Sequence, residues 1–305
     1  VLMDAPTELG DFLRSRRARL QPEDAGLPAY GGRRRVPGLR REELAQLAGM
    51  SLTYYTRLEQ GQSTNASEAV LDALARALQL SEDEHAHLRN LAHPARRPRR
   101  TAPRAEYARP GMQQLISAVE GVPALVVDRR SDVLAWNPLA HALLAGHLAL
   151  DSPDRPSERP NLPQMLFLDP HTRELFTDWD EEARRTVASL RLVAGRFPDD
   201  RRLASLIGEL SMKSSEFAAL WSRHPVHNCL SGVKQFHHPI VGSMELSFEV
   251  MHVPDESGHR ALMYSAEPGS PSEAALGLLA AEISNRRLSE NTSSYDSERH
   301  TGLSL

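Results

Sequence analysis

The chain has 305 residues and a formal net charge of -4, with 40% hydrophobic and 25% charged residues. That is ordinary globular usage and enough chain for about two domains at ~100–200 residues each, which excludes collagen-like, low-complexity and disulfide-scaffold proteins. Cys229 is the single cysteine, no apolar run approaches the ~18 residues needed to span a bilayer, and no leader pattern opens the chain, so a cytoplasmic protein without a membrane partner is expected.

Thr7 to Leu20 reads as a helix, with Leu9, Phe12, Leu13 and Leu20 at helical spacing and Thr7 as N-cap. Residues 21–39 carry three prolines and four glycines around Arg33, Arg34 and Arg35, which predicts an irregular basic arm. Arg40 to Ala48 is again helical and Gly49 stops it; Ser51 then caps a short helix through Gln60, ended by Gly61. A helix over Ala69–Leu80 and one through Ala92, opened by the capping box Ser81/Glu84, complete five short helices. Met50, Tyr55 and Leu58 are expected to face inward, leaving Leu52, Thr53, Tyr54 and Arg57 outward, the arrangement a helix needs to enter a major groove.

Residues 94–110 hold six arginines and four prolines and read as an extended linker. The net charge of -4 is a sum over unlike segments: near-neutral over 1–93, +5 over 94–109 and -8 from 110 onward. Of the 36 basic residues, only Lys213 and Lys234 are lysines. Beyond the linker, 124–127 and 133–136 read as strand, turn, strand, and Asn137-Pro138 opens a helix. Helices are predicted over 181–192, 203–210 and 215–223. Antiparallel strands are predicted over 232–236, 243–253 and 261–266, where Met244, Leu246, Phe248 and Val250 alternate with polar residues. The Ser-rich end from Asn285 is expected to be a disordered tail. The expected division is therefore a domain over 5–93, a linker over 94–110, a mixed domain over 111–284 and a tail over 285–305, an α+β protein as a whole.

The stretch Arg41-Glu42-Glu43-Leu44-Ala45-Gln46-Leu47-Ala48-Gly49-Met50-Ser51, with Tyr55 to Gly61, resembles the Cro/XRE helix-turn-helix family. The resemblance implies that Leu52, Thr53 and Arg57 meet base edges, that Arg41 and Ser51 meet phosphates, and that Arg17 and Glu59 form an internal ion pair. A guanidinium bidentate to guanine discriminates by ~1–3 kcal/mol, whereas a phosphate contact positions without reading sequence. Arg40 stands where that family often has a polar N-cap, and the Arg33–Arg35 arm adds an expected phosphate or minor-groove contact.

Pro123-Ala124-Leu125, Asp132 to Asn137, Leu190-Arg191, Ser215-Glu216-Phe217, Leu220-Trp221, His224-Pro225-Val226, His238-Pro239, Val241-Gly242 and Ala266 to Ser270, together with the N-terminal motif, resemble the MmyB-like transcription regulators. That resemblance implies a PAS-like C-terminal domain, a small-molecule or fatty-acyl ligand, and a role in actinobacterial antibiotic or secondary metabolism. A ligand cavity takes apolar walls and a few convergent polar groups. Trp136, Phe217, Trp221 and Phe248 are the wall candidates, with plain core packing as the alternative, and Asn137, Arg191, His224 and His238 the polar ones, where Arg191 suits a structural or helix-surface ion pair first and a ligand carboxylate second.

His224, His227, Cys229, His237 and His238 fall within fifteen residues, but Pro225 interrupts the first pair and the spacing is poor for zinc, so no metal site is expected. No Gly-x-Ser-x-Gly elbow is present, and no catalytic residues are assigned. The expected protein is a regulator that is not an enzyme, binds a double-stranded DNA operator as a homodimer and uses no cofactor beyond a fatty-acid-like ligand. The alternatives are a small-molecule enzyme with an appended DNA-binding module and a ligand-free protein-binding adaptor.

Overall fold

The computed structural model describes residues 5–27, 38–62, 66–93, 106–253 and 258–301. In chain order its helices and strands are α1 (Ala5–Arg19), α2 (Arg41–Leu47), α3 (Leu52–Glu59), α4 (Glu68–Ala77), α5 (Glu82–Ala92), α6 (Pro110–Ala118), β1 (Ala124–Val127), β2 (Val133–Trp136), α7 (Pro138–Ala145), α8 (Leu162–Leu168) and α9 (Pro170–Leu175). There follow α10 (Trp179–Arg196), α11 (Arg201–Lys213), α12 (Ser215–Ser222), β3 (Ser231–His238), β4 (Gly242–His252), β5 (Arg260–Ser265) and α13 (Pro271–Thr301). The chain divides into two units, one of Val1–Thr101 with Arg184–Asn228 and the other of Ala102–Ala183 with Cys229–Leu305.

The first unit differs from the sequence-based division, in which everything from 111 to 284 forms one domain. Residues 184–228, carrying the C-terminal part of α10 with α11 and α12, cluster with the five N-terminal helices. Leu9, Phe12, Leu13, Leu44, Tyr55, Leu58, Leu71, Leu74 and Leu88 form the core of this unit, and Val226 and Leu192 pack into it. Burying such side chains contributes roughly 1.5–3 kcal/mol each. The α2–α3 turn passes through Gly49 at φ 65°, the left-handed region that glycine enters without a Cβ penalty. Ser51 then caps α3 by accepting from the Tyr54 N–H at 3.2 Å. Arg40 has no side-chain acceptor to offer α2; instead the Glu43 carboxylate accepts from the Arg40 N–H at 2.7 Å.

The second unit holds a five-stranded antiparallel sheet in the order β2-β1-β5-β4-β3. It is the mixed α and β, PAS-like architecture expected of the C-terminal region. One sheet face joins Leu125, Val127, Phe236, Met244, Leu246, Phe248 and Tyr264 to α7 and to Leu276 and Leu279 of α13. Ala124, Val126 and Leu134 pack on the other with Ile116 of α6. A register shift lets Val127 pair with Val133 while Val126 pairs with Ala135, so Leu134 is the extra residue of a bulge. Val133 and Trp136, three apart, thereby enter the same core.

The expected disordered tail is corrected: α13 continues as helix through Thr301. From Leu278 to Thr301 the chain contains neither Gly nor Pro, and Gly302 follows. Glu282 and Arg286 pair at 3.0 Å across one turn, which supports an exposed helix.

Gly10 sets how closely α1 approaches α3, because a Cβ there would lie 2.3 Å from the Glu59 carbonyl oxygen. The contact is with backbone, which cannot swing away. Gly10→Ala is therefore expected to destabilise the first unit by about 1–3 kcal/mol, read as a lower midpoint in urea unfolding.

Candidate nucleic-acid interface and ligand site

Glu59, the last residue of α3, is the polar centre of the first unit. Its carboxylate is fully buried and accepts from Arg17 at 2.7 Å and from Arg41 Nε at 2.8 Å, with Arg14 at 3.6 Å. Burial by itself would raise the Glu59 pKa, but the hydrogen bonds from Arg17 and Arg41 outweigh it and hold the carboxyl below its usual range. The Arg17 terminal nitrogens also tie the chain entering α2, donating to the Leu39 carbonyl at 2.7 Å. The Arg17–Glu59 pair is thus the internal ion pair that the sequence suggests, and Arg41 joins it. Arg41, expected at phosphates, has its Nε committed to Glu59 while its side chain stays 42% exposed.

With its inner face held this way, α3 presents Ser51, Leu52, Thr53 and Arg57 outward, all exposed. Tyr55 and Leu58 are buried as the spacing predicts. Tyr54, expected outward, is instead half-buried and packs against the core. Arg33, Arg34 and Arg35 lie outside the described residues.

The eight expected ligand residues fall into two groups of four. Arg191, Phe217, Trp221 and His224 belong to the first unit, and Trp136, Asn137, His238 and Phe248 to the second. The first four are brought together. The Arg191 side chain is 1% exposed; it donates to Glu8 at 3.1 Å and to His224 Nδ1 at 2.9 Å and also bonds the Trp221 carbonyl. Its guanidinium carbon lies 3.9 Å from the centroid of the Trp221 ring, which stacks on Phe217. Of the two expectations for Arg191, the structural ion pair is the one found, with Glu8 of α1 supplying the carboxylate.

Because Arg191 donates to Nδ1, the His224 ring is assigned as neutral with its proton on Nε2. Burial, reinforced by Arg191 and Arg16, lowers its pKa from 6.5 to about 4. Its backbone carbonyl accepts from Arg16 at 2.7 Å. His87 of α5 packs edge-on against Phe12 with neither ring nitrogen hydrogen-bonded, and burial lowers its pKa from 6.5 to about 3.

In the second unit, Asn137 is spent on the backbone. Its Oδ1 accepts from Ala124 and Ala140, and its Nδ2 donates to Val122 at 2.8 Å. Trp136 Nε1 donates to the Leu150 carbonyl, and the His238 ring bonds the Ala142 carbonyl and the Ile240 N–H. Phe248 remains an apolar wall, and beside it lies Lys234, which belongs to none of the motifs above. Lys234 of β3 pairs with Glu182, both side chains 12% exposed. Its Nζ lies 4.8 Å from the Phe248 ring centroid, 5.7 Å from that of Phe176 and 5.9 Å from that of Tyr264. Burial raises the Tyr264 phenol above its ordinary value. A lysine at an inward position of an alternating strand, in a chain with two lysines, was the available signal.

The histidine-rich segment is divided, with His224 and His227 in the first unit and Cys229, His237 and His238 in the second. Among the described residues, the one group of three or more converging His, Cys, Asp or Glu donors is His147, Asp169 and His171. No helix among them is long and apolar enough to cross a membrane.

The model of the MmyB-like transcription regulator ligand binding domain matches residues 108–279, and that of a helix-turn-helix domain matches residues 8–88. No curated protein matches the chain.

Depressed histidine pKa values give a signed pH dependence. The folded state favours neutral His87 and His224, so their contribution is complete above about pH 6.5 and is lost as pH falls from there toward 4. Each pKa unit of depression corresponds to about 1.4 kcal/mol. His87→Phe is expected to flatten the acid limb of stability against pH, measured by urea unfolding between pH 7 and 4.

Proposed function

Because the chain belongs to the MmyB-like transcription regulators, combining a helix-turn-helix domain with their ligand-binding domain, we propose that α3 reads a DNA operator through Arg57, Thr53 and Leu52. Ser51 and the exposed part of Arg41 then meet phosphates, and the Arg33–Arg35 arm adds phosphate or minor-groove contacts. The observation that carries the reading is the asymmetry of α3: one side is locked to the core by Tyr55, Leu58 and Glu59, and the other leaves Leu52, Thr53 and Arg57 exposed.

The chain acts as a homodimer on two half-sites ~34–36 Å apart or a multiple of that. The protein works in the cytoplasm as a regulator and not as an enzyme. Its target genes, on family resemblance alone, belong to actinobacterial antibiotic or secondary metabolism.

The ligand of the second unit is a small organic acid of fatty-acyl type, with its carboxylate on Lys234 and its chain against Phe248 and Phe176. A buried ion pair adds little net stability, because desolvating two charges offsets their attraction. What sets the Lys234–Glu182 pair apart is its surround of three aromatic rings, Phe248, Phe176 and Tyr264, and in this reading the Glu182 carboxylate occupies the place of the ligand's. Trp136 and Phe248 serve as walls of the same unit.

Selection of the full-length protein against a random double-stranded DNA pool tests the DNA reading, and one enriched two-fold-related motif is expected. Failure to enrich any motif would overturn it. On that motif, Arg57→Ala is expected to weaken binding by about 1–3 kcal/mol at one base position, whereas Arg41→Ala weakens all sequences alike and lowers the salt slope. Lys234→Met is expected to abolish calorimetric binding of a long-chain carboxylate without altering DNA affinity in the absence of ligand.

A further inference from the structure

Three side chains of the second unit, none of them used in the reading above, converge where the end of α7 meets the junction of α8 and α9. His147 follows the C-terminus of α7, Asp169 lies between α8 and α9, and His171 is in the first turn of α9. His147 Nε2 is 2.6 Å from Asp169 Oδ2, and His171 Nδ1 is 3.2 Å from Asp169 Oδ1. The two imidazoles are stacked, 4.5 Å between centroids and 11° from parallel. One nitrogen from each ring and one carboxylate oxygen all lie within 4.8 Å of one another.

We propose that His147, Asp169 and His171 form a binding site for a divalent transition-metal ion, zinc above all. Two imidazoles and a carboxylate are a borderline donor set that suits zinc and excludes calcium or magnesium, which take oxygen ligands. Donors around tetrahedral zinc, bound at ~2.0–2.1 Å, stand about 3.3 Å apart. Donor atoms up to 4.8 Å apart have to close by as much as about 1.5 Å while the 2.6 Å His147–Asp169 contact opens slightly, and the exposed His171 ring supplies that freedom. Three protein donors leave a fourth position open to water.

The protons balance. In the ion-free state the two ring nitrogens facing Asp169 donate to it as N–H groups. On metal binding each ring keeps one proton, on the nitrogen turned away from the ion, and gives any other to solvent.

The outer contacts also fit. The His171 N–H donates to Asp169 Oδ1 at 2.9 Å, and the Thr172 hydroxyl donates to Oδ2 at 3.2 Å. Such outer bonds orient a metal-binding carboxylate. A bound ion would fasten the end of α7 to the α8–α9 junction, just before Phe176 of the Lys234 surround. The site does not depend on the identity of the organic ligand.

Full-length protein stripped with a chelator and titrated with zinc chloride at pH 7.5 tests this. One equivalent is expected to bind at micromolar or tighter dissociation constant, to raise Tm, and with cobalt(II) in its place to give the visible absorption of a tetrahedral site. His147→Gln and His171→Gln keep a side-chain N–H for Asp169 but lose the imidazole donor, and each is expected to weaken zinc binding at least tenfold while keeping the circular dichroism spectrum. His237→Ala, in the other histidine-rich segment, is expected to leave it unchanged. Absence of stoichiometric binding by the wild type, equal affinity in the two Gln variants, or an equal loss in His237→Ala would each overturn the proposal.

Discussion

The Glu59 carboxylate is the constraint on which the DNA-reading face depends. A fully buried carboxylate is tolerated only when charge and hydrogen bonds compensate it, and here Arg17 of α1 and Arg41 of α2 meet it from two directions. Three helices are thus tied at one point at the end of α3. Gly10 permits the approach, since α1 can lie against the Glu59 carbonyl only where no Cβ intervenes. The outcome is a short helix with one face immobilised and the other left to solvent.

A second buried cation extends the same unit beyond the N-terminal helices. Arg191 reaches Glu8 of α1 across 183 positions of sequence, and His224 receives both its guanidinium and, at the backbone carbonyl, that of Arg16. The matched ligand-binding region, residues 108–279, therefore contains a segment, residues 184–228, that shares a core with the DNA-reading helices. The unit boundary falls inside α10, between Ala183 and Arg184.

Local pattern and long-range partnership explain what was legible in the sequence. The orientation of Tyr55 and Leu58, the Ser51 cap, the Ser81/Glu84 box and the alternation along β4 depend on neighbours a few residues away, and all are readable from spacing. The partners of Arg191 and the commitment of Arg41 to Glu59 depend on tertiary contacts that no local period encodes. Arg191 and His224 were recognisable as special residues, but their spacing could not assign them to a unit. Lys234 was readable in principle, because a lysine in phase with Phe236 and His238 on an alternating strand has to be buried or paired. The Ser-rich, polar composition after Asn285 favours disorder, whereas the helical continuation of α13 follows from the absence of any Gly or Pro between Leu278 and Thr301.

The central claim is that buried Glu59 builds the surface that exposed Arg57 uses. Urea unfolding and affinity for the selected DNA motif, measured side by side on Glu59→Gln and Arg57→Ala, test it most directly. Glu59→Gln is predicted to lose several kcal/mol of stability, about 3–5 for breaking a buried pair, together with its selective DNA binding. Arg57→Ala is predicted to lose selectivity with its unfolding midpoint unchanged. A Glu59→Gln protein as stable and as selective as the wild type would contradict the account.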